Sequence, residues 1–440
     1  MDALIYNKEV RTLFERIGMA EEVIIARETK NVSGVVQISG AKNSALKLIA
    51  ASILGQGKSI IHNVPHISDT DIMNAVLRSL GATVEWDGAS LVVDTTNAEG
   101  HETPYELVSK MRASISVLGP LLGRFGCAKV AMPGGCNLGA RKIDMHLKVL
   151  QAMGVHFKNE HGYLYASTPE GMHAADVLLE FPSVGATENM LMAAVTVEGT
   201  SVIDNAAREP EIVDLANMLN AMGAHVEGAG SPTITVKGVS LSELHPCEHT
   251  TVGDRIEAGT YLTAGALLGG PVTAKGIDPS FLRMAIMKLE QMGCEVSTTE
   301  DSITVFRDKP LQAVDIQTLP HPGFPTDLQA QFMLLTSLAQ GNSVISENIF
   351  ENRFMFASEL NRMGSDITVE GHHALIQGVE KLQGAPVSSP DLRGGAALVI
   401  AGLAAEGETV VHDIYHIDRG YENYVGKLSA LGANVERVAL

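Results

Sequence analysis

The sequence predicts an α/β fold built from six similar units, and three observations support this prediction. Glycines that open a short β-rich run recur along the 440 residues at intervals of 69, 73, 71, 71 and 66 positions. Each run leads into a helical segment that ends at a second glycine, and an almost wholly apolar segment precedes each unit. A fixed period of this kind is typical of a repeat architecture. The opening glycines are Gly57, Gly126, Gly199, Gly270, Gly341 and Gly407.

The strand of each unit is a short run enriched in β-branched residues, such as Ser-Val-Ile at 201–203 and again at 343–345. The helix after it is expected to end at a glycine, because glycine enters the left-handed backbone region without strain. These second glycines are Gly81, Gly154, Gly223, Gly293, Gly364 and Gly432.

The second unit differs from the others in one loop. Its two glycines lie 28 positions apart, whereas the spacing in the other five units is 23 to 25. The extra residues fall between strand and helix, at 132–141, and include Pro-Gly-Gly before Cys136. An insertion confined to one loop of one repeat indicates a function added to the scaffold. Cys136 is therefore the candidate reactive side chain.

The six apolar segments predict helices that are buried on all sides, because they lack a polar face. They span 45–54, 115–122, 190–197, 261–268, 332–338 and 396–404. Their N-terminal ends are polar, and Thr187, Asp254 and Asp391 are candidate N-caps.

Basic residues at a helix start oppose the helix dipole, so each needs a carboxylate neighbour or an anionic ligand. Four of these residues stand at or near such starts: Lys42, Arg112, Arg255 and Arg393.

Composition narrows the function classes. The formal charge of −19 argues against nucleic acid or an anionic membrane as partner, since both require a basic face. No apolar run approaches the roughly 18 residues that span a bilayer, and the first thirty residues carry charges throughout. We expect a cytoplasmic protein with two cores of about 200 residues each. The four cysteines, Cys127, Cys136, Cys247 and Cys294, are expected to be reduced.

Two short stretches of the sequence resemble a phosphate-binding loop and a metal-binding site. Residues 55–59, Gly-Gln-Gly-Lys-Ser, resemble a phosphate-binding P-loop, but here the helix precedes the loop and the strand follows it. His245, Cys247 and His249 have metal-like spacing, yet no fourth ligand is nearby, so an ordinary loop is the preferred interpretation.

Several stretches together resemble the enolpyruvyl transferase family, in the branch whose acceptor is UDP-N-acetylglucosamine. The resemblance runs from about Gly34 to the C-terminus. The matching stretches are 38–43, 111–114, 133–136, 139–141, 183–187, 207–211, 254–257, 324–327, 351–354, 391–393 and 416–421.

This resemblance implies an inside-out α/β barrel of two domains, each made of three βαβαββ units, with helices buried and sheets outside. Residues 43–250 would form the domain that carries the Cys136 loop, and residues 1–42 with 251–440 would form the second domain. The active site would lie in the cleft between them. Residues 1 to about 20 have no family counterpart, and a surface helix is expected there.

The resemblance also implies a reaction. The enolpyruvyl (1-carboxyvinyl) group of phosphoenolpyruvate would be transferred to the 3-hydroxyl of the sugar of UDP-N-acetylglucosamine by addition and elimination, with release of phosphate. This step belongs to peptidoglycan precursor biosynthesis and is the target of fosfomycin. No cofactor and no metal are expected, and the protein would be a monomer or a weak homo-oligomer.

The family's roles transfer to individual residues. Lys42, Arg112, Arg141 and Arg419 would bind phosphoenolpyruvate, Asp327 would be the general base, and Cys136 would be the general acid and could add to C2. The catalytic set is thus Cys136, Asp327, Lys42 and Arg419. The remaining substrate-binding candidates are Asn43, Lys142, Ile143, Asp144, Met145, Ser183, Val184, Gly185, Ile349, Arg353 and Arg393, the last two helping the second domain to close.

Two departures from the family pattern are visible. Lys47 and Lys142 stand where proline is usual. Lys142 leaves the detail of the uracil pocket open.

Two alternatives also remain: a relative with UMP or shikimate 3-phosphate as acceptor, and a non-catalytic nucleotide-binding paralogue. The Pro-Gly-Gly-Cys loop argues against shikimate chemistry. The joint presence of an acid and a base candidate argues against a binding-only role.

Overall fold

The computed structural model describes residues 22–108, 112–132 and 143–440, without the side chains of Val108 and residues 112–114. The expected surface helix near the N-terminus and the lengthened loop around Cys136 lie outside the described residues.

Six small sheets account for the strands of the described residues. Five have four strands, and each of these contains one parallel and two antiparallel pairings. The sixth sheet, β6-β8-β7, is antiparallel. An isolated parallel bridge pairs Lys129 of β6 with Glu102, which lies outside the named strands.

The strands are numbered in chain order, and the sheets that they form are given in two groups of three. One group of three sheets has β13-β3-β5-β4, β6-β8-β7 and β11-β12-β10-β9, and the other has β15-β16-β14-β2, β17-β18-β20-β19 and β21-β22-β1-β23. The bounds are β1 Glu22–Arg27, β2 Gly34–Gln37, β3 Lys58–His62, β4 Thr83–Asp87, β5 Ser90–Asp94, β6 Cys127–Ala131, β7 His156–Glu160, β8 Tyr163–Ser167, β9 Asp176–Leu178, β10 Thr200–Asp204, β11 His225–Glu227, β12 Thr233–Lys237, β13 Glu248–Thr250, β14 Val272–Lys275, β15 Glu295–Thr298, β16 Ser302–Phe306, β17 Ile316–Gln317, β18 Asn342–Ser346, β19 Asp366–Glu370, β20 His373–Gln377, β21 Pro386–Ser388, β22 Glu408–His412 and β23 Val435–Ala439.

The helices lie between these strands. Their bounds are α1 Lys42–Ala51, α2 Ser68–Ser79, α3 Tyr105–Val108, α4 Leu118–Phe125, α5 Asp144–Ala152, α6 Val184–Ala194, α7 Pro210–Ala221, α8 Arg255–Leu268, α9 Arg283–Gln291, α10 Gln329–Ser337, α11 Ala357–Arg362, α12 Leu392–Ala404, α13 Tyr415–Asp418 and α14 Tyr424–Ala430. Short 3-10 turns precede or follow several of them, as at Thr326–Leu328 before α10.

The glycine pattern is confirmed. All six second glycines have a positive φ between 91° and 102°, and the six opening glycines also have a positive φ. At Gly223, for example, the chain leaves α7 and turns into β11, with Gly223 N–H bonded to the carbonyl of Asn220. The left-handed conformation at each point turns the chain out of the helix, as the sequence predicted.

The apolar helices are buried, as predicted. Every residue of α8 and of α10 is buried, and so are nine of the ten residues of α1. Asp254 and Asp391 cap α8 and α12, since each side chain accepts hydrogen bonds from two backbone N–H groups of the first turn. Thr187 is not an N-cap, and that prediction was wrong: Ser183 caps α6, and Thr187 donates to the carbonyl of Ser183 one turn earlier.

Two hydrophobic clusters form separate cores. The first runs from Ala45 to Leu244, and the second contains Ile24 to Ile38 together with Ile256 to Val435. The chain passes between them beside Gly40 and Gly253, which are joined by an antiparallel bridge. An added Cβ on Gly40 would lie 1.7 Å from the carbonyl oxygen of Asn63, so only glycine fits at this crossing. In the described part of the chain, none of the helices combines the length and the apolar composition that a bilayer span requires.

Candidate active site

Asp69 joins the two cores through a pair of cations. This carboxylate, 1% exposed, lies in the first turn of α2, on the first core. Its Oδ2 is 2.7 Å from Nζ of Lys42 at the start of α1, and its Oδ1 is 2.9 Å from Nε of Arg419, which follows α13 in the second core. Two of the predicted phosphoenolpyruvate ligands therefore meet on one carboxylate.

Asp327 forms a second cluster of the same kind. Arg353 Nη2 lies 2.9 Å from its Oδ1, and Arg393 Nη2 lies 3.2 Å from its Oδ2. Both guanidinium groups are at least 95% buried, whereas 24% of the Asp327 side chain is exposed to solvent. The structure thus brings together the predicted base and the two predicted closing arginines.

The charges around Asp327 determine its protonation. Burial would raise the pKa of this carboxyl, but Arg353 and Arg393, assisted by Lys42, outweigh that effect and hold the pKa well below its usual range. Asp327 is therefore ionised across the physiological range. It can accept a proton, although a pKa this low makes it a weak base while both arginines remain bound to it.

Lys42 experiences opposing influences. Burial lowers the pKa of its ammonium group, and the nearby Arg419 and Arg393 lower it further, whereas Asp69 raises it. The result is a pKa below the usual lysine value. Four cations, Lys42, Arg419, Arg353 and Arg393, are gathered here around the carboxylates of Asp69 and Asp327. A strongly acidic chain has thus concentrated positive charge at one place, as an anionic substrate requires.

The aromatic ring of Tyr421 packs against the guanidinium group of Arg393. The guanidinium carbon lies 5.2 Å from the centre of the Tyr421 ring, within cation–π range. The Tyr421 hydroxyl is 2.9 Å from Thr260 Oγ1 and accepts from Gln331 Nε2 at 3.3 Å. Buried side chains from α8 and α10 thereby fix the face on which Arg393 rests.

Glu347 links the two segments predicted to hold the nucleotide on the second core. Its Oε2 accepts from Thr326 Oγ1 at 2.9 Å, and its Oε1 accepts from the N–H of Ile349 at 2.9 Å. The side chain is buried, and Thr318 Oγ1 also donates to it. Because Glu347 holds both Thr326, which precedes Asp327, and Ile349, it fixes the position of Asp327 relative to Ile349.

The predicted nucleotide residues of the first core lie at the start of α6. Ser183 caps this helix, and Val184 and Gly185 form its first turn. A Cβ on Gly185 would lie 2.5 Å from Cε1 of His146, so this glycine lets α5 pack against α6. Asp144 and Met145 belong to the first turn of α5, and Ile143 is its N-cap. The structure therefore brings the start of α5 and the start of α6 together.

Other predicted site residues are not placed. Cys136, Arg141 and Lys142 lie outside the described residues, and so does the side chain of Arg112. Asn43 is described: it follows Lys42 in α1, and its carbonyl accepts from Lys47 Nζ at 3.0 Å.

The sequence reasoning did not identify Asp69, Glu347 or Tyr421 as site residues. The repeat contains a signal for Asp69, because it lies in the first turn of the helix that follows the strand of the first unit, and Cys136 precedes the corresponding helix of the second. Arg353 and Arg419 occupy the same kind of segment after β18 and β22. The strand-to-helix segments of several units therefore converge on one site.

The remaining patterns have structural explanations. Arg255 is paired with Glu211 at 3.0 Å, which gives this helix-start cation the carboxylate neighbour it needs. His249 Nε2 lies 2.8 Å from Asp214 Oδ1, and burial raises the pKa of the Cys247 thiol to about 11. Residues 55–59 follow a 3-10 turn and lead into β3, which is the order opposite to a P-loop.

A cavity of about 290 Å³ opens elsewhere, beside the crossing between the cores. Arg208, Asp214, Phe281 and His321 are among its lining residues. Burial, followed by the charges of Arg255 and Arg208, lowers the pKa of His321 to about 4. Neither Lys42 nor Asp327 lines this cavity, so we place the chemistry at the charged clusters.

Comparison with known proteins defines the class. Residues 26–428 match the family model of EPSP synthase (3-phosphoshikimate 1-carboxyvinyltransferase). The chain belongs to this family of enolpyruvyl transferases.

Similarity within the family is more specific. UDP-N-acetylglucosamine 1-carboxyvinyltransferase from Acinetobacter baylyi is 50% identical over 409 residues, which cover 93% of this chain and 97% of that protein. The protein of the same name from Mycobacterium bovis is 49% identical over 420 residues, covering 96% of this chain and all of that one.

Solved structures agree on the fold. The enolpyruvyl transferase NikO from Streptomyces tendae superimposes with a TM-score of 0.87 at 26% identity, covering 96% of this chain and 100% of that one. EPSP synthase from Acinetobacter baumannii gives a TM-score of 0.73 at 17% identity, covering 95% and 100%, and shows the fold alone. The prediction of an α/β enolpyruvyl transferase is confirmed.

Proposed function

We propose that this chain transfers the enolpyruvyl group of phosphoenolpyruvate to the 3-hydroxyl of the sugar of UDP-N-acetylglucosamine, with release of phosphate. The observation that carries the proposal is the pair of carboxylate-centred clusters, in which four buried or half-buried cations surround Asp69 and Asp327. Phosphoenolpyruvate carries both a phosphate and a carboxylate, and closely spaced cations suit it. The identity of about 50% to carboxyvinyltransferases named for UDP-N-acetylglucosamine supports this acceptor.

The chemistry proceeds in two steps. Asp327 accepts the proton of the acceptor hydroxyl, whose oxygen bonds to C2 of phosphoenolpyruvate while C3 gains a proton from the Cys136 thiol. In the second step the bond between C2 and the phosphate oxygen breaks, the Cys136 thiolate takes a proton from C3, and the enol ether is released. The proton held by Asp327 leaves with the phosphate. Lys42 and Arg419 stabilise the phosphate in both steps by direct charge.

Asp327 becomes a better base when substrate binds. An arginine that turns from Asp327 towards an anionic ligand removes one of the charges that depress the pKa of this carboxyl. Arg353 and Arg393 are the groups able to do so, and their movement accompanies closure of the cleft. Binding of the anion and activation of the base are thereby coupled.

The finer architecture follows the same proposal. We take residues 43–250 as one domain and residues 1–42 with 251–440 as the other, each an inside-out barrel of three βαβαββ units. The separate cores and the wholly buried α8 and α10 support this assignment. We also take the enzyme to act in the cytoplasm, in peptidoglycan precursor synthesis, and to be the target of fosfomycin.

A phosphate-release assay tests the acceptor. Phosphoenolpyruvate is supplied with UDP-N-acetylglucosamine, with UMP or with shikimate 3-phosphate, and we expect release only with the first. Release with shikimate 3-phosphate alone would replace the proposal by the second candidate of the same family. A folded protein that binds UDP-N-acetylglucosamine and releases no phosphate with any acceptor would establish the non-catalytic alternative.

A further inference from the structure

Asp69 occupies an unusual place, because it neutralises two cations that the proposed reaction requires. Lys42 reaches it from the start of α1, and Arg419 reaches it from the segment after α13. Its two oxygens are divided between them: Oδ2 lies 2.7 Å from Lys42 Nζ, and Oδ1 lies 2.9 Å from Arg419 Nε. A second contact, Arg419 Nη2 to Oδ2 at 3.3 Å, makes the arginine pairing bidentate.

We propose that Asp69 is a positioning residue that holds the Lys42 ammonium and the Arg419 guanidinium side by side in the phosphoenolpyruvate site. This inference rests on the proposed function and adds a residue to it. Asp69 is 1% exposed, so its carboxylate cannot swing into solvent and its two oxygens are fixed points. Arg419 is 22% exposed.

The alternative is that Asp69 serves only the stability of α2. It stands in the first turn of this helix, where any carboxylate gains from the helix dipole. Asp71 stands in the same turn and is exposed. It shares the position relative to the dipole, whereas the contacts with Lys42 and Arg419 are recorded for Asp69. Asp71 is therefore the matched control.

Charge supports the geometric argument. Among the described residues, the charged groups that act on the Lys42 side chain are Asp69 from α2, Arg419 after α13 and Arg393 from α12, and Lys42 in turn acts on Asp327 before α10. Asp254, from the N-cap of α8, accepts from the backbone N–H of Lys42. Burial and both arginines lower the pKa of Lys42, and Asp69 raises it. Without Asp69 this pKa falls further, and Lys42 loses its proton at a lower pH.

The test compares Asp69→Asn with Asp71→Asn and wild type. Asp69→Asn should raise KM for phosphoenolpyruvate about tenfold or more, as loss of a charged hydrogen bond does. It should also move the alkaline limb of kcat/KM to lower pH by about 1 to 3 units. Asp71→Asn should change neither quantity. A folded Asp69→Asn enzyme with a wild-type KM, a lowered KM or an unmoved alkaline limb would overturn the proposal.

A second variant covers the case in which Asp69→Asn does not fold. Asp69→Glu keeps the charge and displaces it by one methylene, so the alkaline limb should stay in place while kcat/KM falls. Wild-type kcat/KM in Asp69→Glu would show that the position of the carboxylate is immaterial and would overturn the proposal.

A direct measurement of phosphoenolpyruvate binding tests the role of Asp69 separately from the proposed enzymatic activity. Calorimetry measures phosphoenolpyruvate binding to wild type and to Asp69→Asn at pH 7 and pH 9, independently of turnover. If wild type shows no phosphate release but binds phosphoenolpyruvate, the function fails while the binding difference still decides the role of Asp69. If wild type does not bind phosphoenolpyruvate, both fail.

Discussion

Asp327 cannot be understood as an isolated general base. Two guanidinium groups donate to its oxygens and hold its pKa well below the usual value. Activity therefore depends on how these arginines divide their contacts between Asp327 and the substrate.

Asp327→Asn tests that dependence. The amide cannot accept the hydroxyl proton, so kcat should fall by roughly 10²–10⁴, the usual contribution of general base catalysis. Steady-state phosphate release measures the loss, and calorimetry with UDP-N-acetylglucosamine monitors binding. Glu351→Gln, an exposed carboxylate two positions before Arg353, is the control and should retain wild-type kcat. An Asp327→Asn enzyme with more than half of wild-type kcat would contradict the assignment.

A second prediction concerns the Cys136 side chain. Because a serine hydroxyl is a far weaker acid and nucleophile than a thiol, Cys136→Ser should lose most turnover and all covalent labelling by fosfomycin. Mass spectrometry of the intact protein reads the adduct directly. Cys247→Ser is the control, since burial raises the pKa of that thiol to about 11 and leaves it unreactive. Labelling that persists in Cys136→Ser would refute the role given to this residue.

A buried ion pair between Lys47 and Glu188 connects helices α1 and α6. Lys47 Nζ lies 3.2 Å from Glu188 Oε1, and both side chains are more than 90% buried. Burial, only partly offset by Lys47, raises the pKa of Glu188 to about 7. Lys47 therefore supplies a partner for this carboxylate, and its Nζ also donates to the carbonyl of Asn43.

Glu188→Gln should change how stability depends on pH. The folded-state pKa of about 7 exceeds the ordinary 4.5, so the folded protein binds this proton more tightly. The free energy of unfolding contributed by Glu188 is fully present at low pH and declines between about pH 4.5 and 7. The decline is on the order of 3 kcal/mol. Denaturation by urea at pH 5 and pH 8 measures it.

The expected result is a smaller difference between the two pH values in Glu188→Gln than in wild type. Some difference remains, because Glu257, whose pKa is also raised to about 7, behaves in the same way. Glu180→Gln changes an exposed carboxylate and should match wild type. Equal differences in wild type and Glu188→Gln would show that Glu188 titrates normally.

The elements were largely predictable, and the contacts between them were not. The glycines mark the helix ends because their backbone conformation is a local property of the chain. The apolar helices were found because a helix without a polar face has to be buried. Thr187 misled the prediction, because several hydroxyl residues near one helix start are equivalent in sequence, and only packing decided that Ser183 caps α6. Asp69 was missed because Arg419 lies 350 positions away in the chain. Glu347 was missed because its contacts with Thr318 and Thr326 depend on how the loops around β17 and β18 pack.

At the scale of the whole molecule, a few polar contacts join the two cores. Arg419 reaches Asp69, Arg255 reaches Glu211, and Glu422 Oε1 accepts from the N–H of His66 at 3.1 Å. Ionic contacts rearrange at lower cost than an apolar interface, so these contacts are compatible with the proposed closure of the second domain over the site.

Trp86 should report that motion. It is the only tryptophan in the sequence, and its ring stacks on His66 with a centroid distance of 3.8 Å, next to the Glu422 contact. Addition of UDP-N-acetylglucosamine should therefore change the tryptophan emission in a saturable manner. Trp86→Phe should abolish the signal while leaving phosphate release intact. An emission that stays constant at saturating substrate would mean that this contact does not move.

The arrangement of β1 also constrains the order of assembly during synthesis. This strand lies between β22 and β23, and Arg27 pairs with Glu408, 381 positions later. On the ribosome, the segment 22–27 must wait roughly 20 to 80 s for its partners at 5–20 residues per second. The core from Ala45 to Leu244 is complete long before that. The first half can fold while the N-terminal strand is still an unpaired edge, and a nascent-chain chaperone would find its binding segment there.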